Sequence, residues 1–161
     1  MPKRNRLALA ASLIQRLPHP MHEPLLSRLF GSQVHFAGTA QVRIQRMSQH
    51  EVRMSLTNRR RVQNHIKGIH AAAMALLAES ASGCVVGMNL PDDKLPLIRT
   101  LKVDYLKRAQ GNLHATATLS DAQRQAMQEQ DRGQVVVEVT ILDESHEQPI
   151  RCEMHWAWIK R

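Results

Sequence analysis

The sequence predicts an α+β domain in which a curled antiparallel sheet wraps around one central helix. Two patterns predict this fold: a long apolar segment of helical composition, and segments on both sides of it in which apolar and polar residues alternate. The connections between the alternating segments are short, and short connections require largely antiparallel pairing. The length of 161 residues is sufficient for one domain with a substantial core.

A helical appendage is predicted at residues 1–34, ahead of the main domain at 35–161. The apolar run at 7–14 follows a basic start and weakly resembles a secretory signal. Its apolar residues recur at helical spacing, however, and this spacing favours an amphipathic helix of the mature protein. A second short helix is predicted at 23–30, with Gly31 ending it.

The period-two alternation begins at residue 39. Residues 40–45 and 52–57 are predicted to pair as an antiparallel hairpin, with a turn between them. Residues 69–82 then favour a helix that is rich in Ala, Leu and Met and apolar nearly all round, which is typical of a buried helix. Gly83 lies where a C-terminal cap of this helix is expected.

Four or five further strands are predicted after the helix, where the alternation returns. A polar stretch at 120–133 interrupts them and is either a short helix or a long loop, because Ser120 and Gln123 have the spacing of a capping box. The segments with strand character are residues 84–90, 101–105, 113–119, 135–141 and 150–158.

Positive charge is concentrated in the first part of the chain. Residues 1–70 hold 12 Lys and Arg against 2 acids, whereas residues 71–161 hold 10 against 12, and the net charge is +8. Such a basic segment predicts an anionic partner: nucleic acid, a membrane surface or a phosphorylated small molecule. Aromatic residues make up 3% of the chain and none lies beside the arginines at 59–61. Nucleic acid is therefore disfavoured, because base stacking needs exposed aromatic side chains.

Residue usage disfavours other classes of protein. The apolar runs are shorter than the roughly 20 residues that span a bilayer. Cys84 and Cys152 lie far apart without metal-ligand spacing, so neither a disulfide scaffold nor a metal site is predicted. This cysteine usage suits a reducing compartment, and a cytoplasmic location is expected.

Glu79 is the one acidic residue in the predicted buried helix. Burying a carboxylate without partners costs several kcal/mol. Glu79 therefore either reaches water or a basic neighbour near the helix end, or is held in a cleft for acid–base or nucleophilic chemistry. His70 opens the same helix and is either a helix-start or core histidine, or a second site residue.

The spacing of these two residues constrains any shared site. His70 and Glu79 are nine residues apart, which places them on opposite helix faces and about 13 Å apart along the axis. They cannot meet within one chain. If both are functional, two chains related by a two-fold axis must build the site, as in a symmetric homodimer.

The start of this helix offers further candidate groups. The backbone N–H groups of Ala71 and Ala72 lack helical partners and could polarise a carbonyl and hold an oxyanion. Asn64 lies in the preceding polar loop, where its amide either orients water or a carbonyl or is an ordinary loop residue.

One spacing pattern resembles the N-x3-G-x-H-G-G-x6-[DE] signature of hotdog-fold acyl-CoA thioesterases of the phenylacetate-pathway type. In this chain the pattern is Asn64-x3-Gly68-x-His70-x8-Glu79. The order of hairpin, central helix and later strands also resembles this superfamily, and Tyr105, Ala109 and Gly111 are similar to its next strand. The added N-terminal helices resemble the DUF4442-type, thioesterase-like branch more closely. The resemblance covers residues 35–160.

The resemblance implies a fold, an activity and a set of roles. It implies a hotdog homodimer, or a dimer of dimers, that hydrolyses an acyl-CoA or acyl-carrier thioester without a further cofactor. Glu79 matches the general base or nucleophile, and Asn64 matches the residue that positions water or thioester. His70 and Gly68 match the helix-start residues, and the backbone N–H of Ala71 matches the donor to the thioester carbonyl.

Two departures from the family pattern keep alternatives open. Ala71 and Ala72 replace the Gly-Gly pair, and Ile98 stands near the position where some relatives have Ser or Thr. A non-catalytic protein that binds acyl-CoA or an acyl carrier is therefore an alternative. A hotdog dehydratase is a weaker one, because the Pro-rich loop that this class carries beside its histidine is absent here.

Coenzyme A suits the charge pattern, because its phosphates are anionic and Arg and Lys are their usual partners. Each candidate residue is either a phosphate contact or a solvated surface charge. The candidates flank the motif and follow the Tyr105 strand: Arg59, Arg60, Arg61, Lys67, Lys107 and Arg108.

Overall fold

The structure is a computed structural model that describes residues 5–161; residues 1–4 of the predicted appendage lie outside that range. Two short 3-10 turns occur at His19–Met21 and Arg60–Val62. The helices are α1 (Arg6–Ile14), α2 (His22–Gln33), α3 (His35–Ala40), α4 (Ala71–Gly87) and α5 (Asp121–Glu129), and the strands are β1 (Arg43–Met47), β2 (Glu51–Leu56), β3 (Lys94–Tyr105), β4 (Leu113–Thr118), β5 (Gly133–Asp143) and β6 (Ile150–Lys160).

The strands form one antiparallel sheet with the order β1-β2-β4-β5-β6-β3. The predicted hairpin is confirmed as β1 and β2, where Ile44 lies opposite Met54. The sheet curls around α4, which packs against every strand from β2 to β6. Its inner face is apolar, with Met54, Ala115, Val137 and Met154 all buried. The predicted α+β fold is thus confirmed.

Helix α4 is longer than the sequence predicts. It does not end at Gly83 but continues to Gly87, so the predicted strand at 84–90 is wrong. The reason is packing: a Cβ on Gly83 would lie 2.7 Å from the ring of Trp156 on β6. Gly83 is therefore a close-contact residue rather than a cap. The apolar residues after it form the last buried turn of the helix.

The helices before the sheet show the same use of glycine. Helix α1 is confirmed, whereas α2 continues past Gly31 to Gln33. A Cβ on Gly31 would lie 3.1 Å from the Cα of Gly38 in α3, so glycine here allows α2 and α3 to approach closely. Helix α3 was not predicted, and it occupies Ala40, which the alternation assigned to a strand. The domain division at residue 34 stays a prediction.

The polar stretch between β4 and β5 is a helix, α5, rather than a loop. Ser120 and Gln123 form the capping box that their spacing predicted. The other end is capped by buried Lys94, whose Nζ donates to the carbonyl oxygens of Met127 at 2.6 Å and Gln128 at 3.1 Å. Strand β3 accordingly begins at Lys94, well before the predicted start at residue 101.

Among residues 5–161, no helix combines the length and the apolarity that crossing a bilayer requires.

A glycine-to-alanine pair on α4 tests the packing explanation. Gly83→Ala should lower the free energy of unfolding by about 1–3 kcal/mol, because the methyl group collides with the Trp156 ring. Gly87→Ala is the matched control: its Cβ would meet only the flexible Leu7 side chain, at 3.3 Å, so it should be neutral or stabilising. Urea denaturation measures both. A Gly83→Ala protein more stable than the wild type would contradict the explanation.

Candidate active site

Glu79 lies half-buried on α4, on the wall of a cavity of about 790 Å³ between α1, α2 and α4. No hydrogen bond or ion pair reaches its carboxylate from the described residues. Burial raises the pKa of this carboxyl above its ordinary 4.5. The interpretation of Glu79 as a group paired with a basic neighbour therefore receives no support. A half-buried, unpaired acid on a cavity wall is suited to proton transfer.

His70 is the N-cap of α4. Its Nδ1 accepts a hydrogen bond from the backbone N–H of Ala72 at 3.0 Å, and its backbone is extended, with φ −63° and ψ 142°. The backbone N–H of His70 donates to the carbonyl of Val62 at 2.8 Å, which fixes the loop before the helix. Because Nδ1 accepts a bond, the imidazole proton is on Nε2 in this arrangement.

Only one of the two predicted oxyanion donors is available. The Ala72 N–H has no helical partner, as expected, but it donates to the His70 side chain and is therefore not available to a ligand. The N–H of Ala71, an exposed residue, has no acceptor among the described residues. Its carbonyl accepts a hydrogen bond from the Tyr105 hydroxyl at 2.8 Å, which ties the end of β3 to the helix start.

Asn64 organises the loop that precedes α4. Its side-chain oxygen accepts the backbone N–H groups of Ile66 and Gly68, each at 3.1 Å. The backbone N–H of Asn64 donates to the Gly68 carbonyl at 2.9 Å. Between these two residues, Lys67 takes a left-handed backbone conformation with φ 60°. The Asn64 oxygen is thus used within the loop, and its NH2 group is the part left to face a ligand.

The structure gathers four of the predicted site residues at the start of α4 and leaves the fifth apart. Asn64, Gly68 and His70 lie in the loop that leads into α4, and Ala71 is its first residue; we call these four the helix-start cluster. Glu79 lies about 13 Å further along the axis, on another face of the helix. Within one chain, Glu79 and the helix-start cluster are therefore separate.

Two of the predicted phosphate-binding arginines have partners within the chain. Arg59 donates to the Gln41 side chain at 2.6 Å, and Arg61 donates to the Thr39 carbonyl at 3.1 Å. Both contacts hold the segment after β2 against the end of α3. These arginines therefore have a structural role whether or not they bind phosphate.

The remaining basic candidates differ in their surroundings. Lys107 forms an ion pair with Glu147, which neutralises its charge. Arg108 donates to the Ile66 carbonyl at 3.1 Å, so it lies beside the helix-start cluster. Two exposed side chains near this cluster have no partner among the described residues: Arg60 and Lys67.

Sequence reasoning missed one polar group at the cavity. Ser80 is 1% exposed, and its hydroxyl has no hydrogen-bond partner among the described residues. A polar residue directly after Glu79 in an apolar helix was the available signal. Within residues 5–161, no three His, Cys, Asp or Glu side chains lie close enough together to hold a metal ion.

Solved structures with this architecture include several thioesterases. A Pseudomonas aeruginosa protein, designated a probable thioesterase, is 18% identical with a TM-score of 0.75, over 90% of this chain and 97% of that one. A thioesterase family protein from Silicibacter pomeroyi is 15% identical with a TM-score of 0.68, over 84% and 96%. A Staphylococcus aureus thioesterase is 18% identical with a TM-score of 0.65, over 79% and 99%.

These likenesses show the fold: a sheet curled around a central helix, known as the hotdog fold. The model of the family DUF4442, a domain of unknown function, matches residues 23–159. The chain therefore belongs to the DUF4442 family. No curated protein matches it significantly. Structures of the Staphylococcus aureus protein carry alanine in place of a glutamate and in place of a glutamine fifteen residues earlier.

Substitutions at His70 test its capping role. His70→Ala should lower the free energy of unfolding by about 1 kcal/mol, because the Ala72 N–H loses its acceptor. His70→Asn should retain or exceed wild-type stability, because the asparagine oxygen is a strong N-cap acceptor. Equal stability of His70→Ala and the wild type in urea denaturation would contradict the role.

Proposed function

We propose that this protein hydrolyses acyl-CoA thioesters at a composite site formed by two copies of the chain. Glu79 of one copy would face the helix-start cluster of the other. The observation that carries the proposal is the Glu79 carboxylate, which is half-buried on a cavity wall, has a raised pKa and has no partner among the described residues. A structural acid in an otherwise apolar helix would be expected to have such a partner.

The proposed reaction assigns one task to each group. The Ala71 N–H polarises the thioester carbonyl and stabilises the oxyanion that forms on attack. The Glu79 carboxylate takes a proton from water as the water oxygen bonds to the acyl carbon. The C–S bond then breaks, and the proton passes from Glu79 to the leaving thiolate. In the alternative course, Glu79 attacks the carbonyl directly and water hydrolyses the resulting anhydride.

The helix-start cluster supplies further donors for the substrate. The Asn64 NH2 group and the His70 Nε2–H are the two side-chain donors of this cluster that the chain's own hydrogen bonds leave available. Both can position the carbonyl or the water through hydrogen bonds. The buried Cys84 thiol on the cavity wall is not the nucleophile in this scheme, because burial raises its pKa to about 12.

The compared structures support this assignment. Asn64 and Glu79 are fifteen residues apart, the same separation as the amide and the glutamate replaced in the Staphylococcus aureus thioesterase. The two proteins therefore share a fold and have an amide and a carboxylate at the same spacing, which is consistent with related chemistry.

An exposed sheet edge supports the two-chain arrangement. Strand β3 is twelve residues long, stands at the end of the sheet order and pairs only with β6 among the described strands. Leu97, Ile98, Leu101 and Tyr105 on this strand are each at least 39% exposed. A long apolar edge is a surface for pairing with a second strand. Tyr105 links this edge to Ala71, so a partner at β3 would lie close to the helix-start cluster.

Coenzyme A is the carrier that we propose. Arg60, Lys67 and Arg108 lie near the helix-start cluster, and none of the three has a counter-ion among the described residues. Arg and Lys at the mouth of a site are suited to pyrophosphate and ribose phosphate. Coenzyme A chemistry and two free cysteines both suit the cytoplasm, where we place the protein.

Thiol release from short, medium, long and aromatic acyl-CoAs tests the proposal. Glu79→Gln should lower kcat at least about 100-fold, the usual contribution of a positioned acid–base group. The matched control is Glu138→Gln on the exposed side of β5, which should keep wild-type activity. In the wild type, kcat should fall on the acid side with a midpoint above 4.5, because Glu79 must be ionised and its pKa is raised.

Two results would contradict the hydrolase. Full activity in Glu79→Gln would remove this residue from the chemistry. A wild type that binds CoA esters and hydrolyses none would favour the non-catalytic acyl-CoA or acyl-carrier binding protein, for which the methyl groups of Ala71 and Ala72 are the supporting feature.

A further inference from the structure

The cavity beside Glu79 continues along one face of α4. This face carries only small side chains after the glutamate, namely Ser80, Gly83, Cys84 and Gly87. Their spacing of three and four residues keeps them on the same side of the helix. From Glu79 to Gly87 the lined path is about 12 Å long at the helical rise of about 1.5 Å per residue.

The N-terminal helices supply the opposite wall. Leu7 and Ala10 of α1 and Leu29 and Phe30 of α2 line the same cavity. At the Gly87 end of the path α1 approaches α4, because a Cβ on Gly87 would lie 3.3 Å from the Leu7 side chain. A volume of about 790 Å³ lies within the range of small-molecule sites in proteins. These four residues form an apolar wall opposite α4, whereas the charged residues Arg6, Asp92, Lys94 and Arg161 line other parts of the cavity.

A buried hydroxyl marks the polar end of this path. Ser80 is 1% exposed and lines the cavity, yet its Oγ bonds to no described residue. A serine inside a helix usually satisfies its hydroxyl with the carbonyl one turn earlier. A buried polar group without a partner is unfavourable, so the free hydroxyl indicates a ligand that carries a hydrogen-bonding oxygen.

We infer that the space between α1, α2 and α4, here called the α1–α2 pocket, holds the acyl chain of the thioester, and that Ser80 binds an oxygen at its carboxyl end. The inference rests on the proposed function. The Ala71 N–H of the partner copy holds the carbonyl oxygen. The Ser80 hydroxyl holds the attacking water, which becomes the second carboxylate oxygen of the product. The chain then lies along the small face of α4 towards Gly87.

The length of the pocket selects the substrate. A path of about 12 Å accommodates an unbranched chain of roughly eight to ten carbons, given C–C bonds of about 1.5 Å. The wall formed by Leu7, Ala10, Leu29 and Phe30 is apolar and suits a hydrocarbon chain. Medium-length aliphatic acyl groups are therefore the class of substrate.

Calorimetric binding of free fatty acids from butanoate to hexadecanoate tests the pocket without requiring catalysis. Ala10→Trp fills the pocket from α1 and should weaken decanoate binding at least tenfold while leaving butanoate unchanged. Leu9→Trp is the matched control, because the neighbouring Leu9 is 53% exposed and does not line the cavity. Leu29→Ala enlarges the pocket without adding bulk and should shift the preferred chain to longer acids.

Substitution of Ser80 tests the polar end. Ser80→Ala should leave the urea midpoint unchanged or raise it, because it removes an unpaired hydroxyl, yet weaken decanoate binding about tenfold. Ser82→Ala is the contrast: its hydroxyl accepts the Trp156 indole N–H at 3.0 Å, so this change should lower the urea midpoint.

The same variants in thiol-release assays separate the two proposals. If the wild type hydrolyses thioesters and neither Ala10→Trp nor Leu29→Ala alters the chain-length profile, the pocket is overturned and the hydrolase stands. If no thioester is hydrolysed, but the wild type binds decanoate and Ala10→Trp does not, the pocket proposal stands and the hydrolase proposal is overturned. Absence of binding by every fatty acid overturns the pocket.

Discussion

The burial of α4 is the constraint on which the rest of the structure depends. A helix that is apolar on nearly all sides must be covered on nearly all sides, and strands β2 to β6 cover most of it by curling around it. Small residues on α4 allow the sheet to approach the helix closely; at Gly83, for example, the Trp156 ring of β6 leaves no room for a Cβ. The cover is incomplete beside Glu79, and there the cavity forms. Fold and candidate site thus follow from one requirement.

The sequence predicts the elements whose side-chain period decides their structure. The hairpin, the central helix and the capping box of α5 depend on local spacing, and each is found. The errors at Gly31 and Gly83 have a common cause. Glycine both ends helices and allows two backbones or a ring to approach, and only the tertiary neighbours decide between these uses. The short apolar run that suggested a strand at 84–90 instead contains the last turn of α4, because Gly83 does not end the helix.

The same distinction between local spacing and tertiary contacts applies to the candidate site. The helix-start cluster is close in sequence, so its residues could be found from spacing alone. The capping of Ala72 by His70 depends on a rotamer, and the contacts of Arg59 and Arg61 with the end of α3 depend on an element that was not predicted. The wall that α1 and α2 add to the cavity depends on contacts between residues far apart in the chain.

Complementation between two inactive variants tests the composite site most directly. Ala71→Pro removes the oxyanion N–H at the first helical position, where proline is favoured and the extended His70 backbone precedes it. Glu79→Gln removes the carboxylate. If the site is shared between copies, an equal mixture of the two variants should recover about one quarter of wild-type activity after co-refolding. About half of the dimers are then mixed, and each mixed dimer contains one intact site of two. Differently tagged chains would show whether mixed dimers form. Mixed dimers without activity would contradict the account.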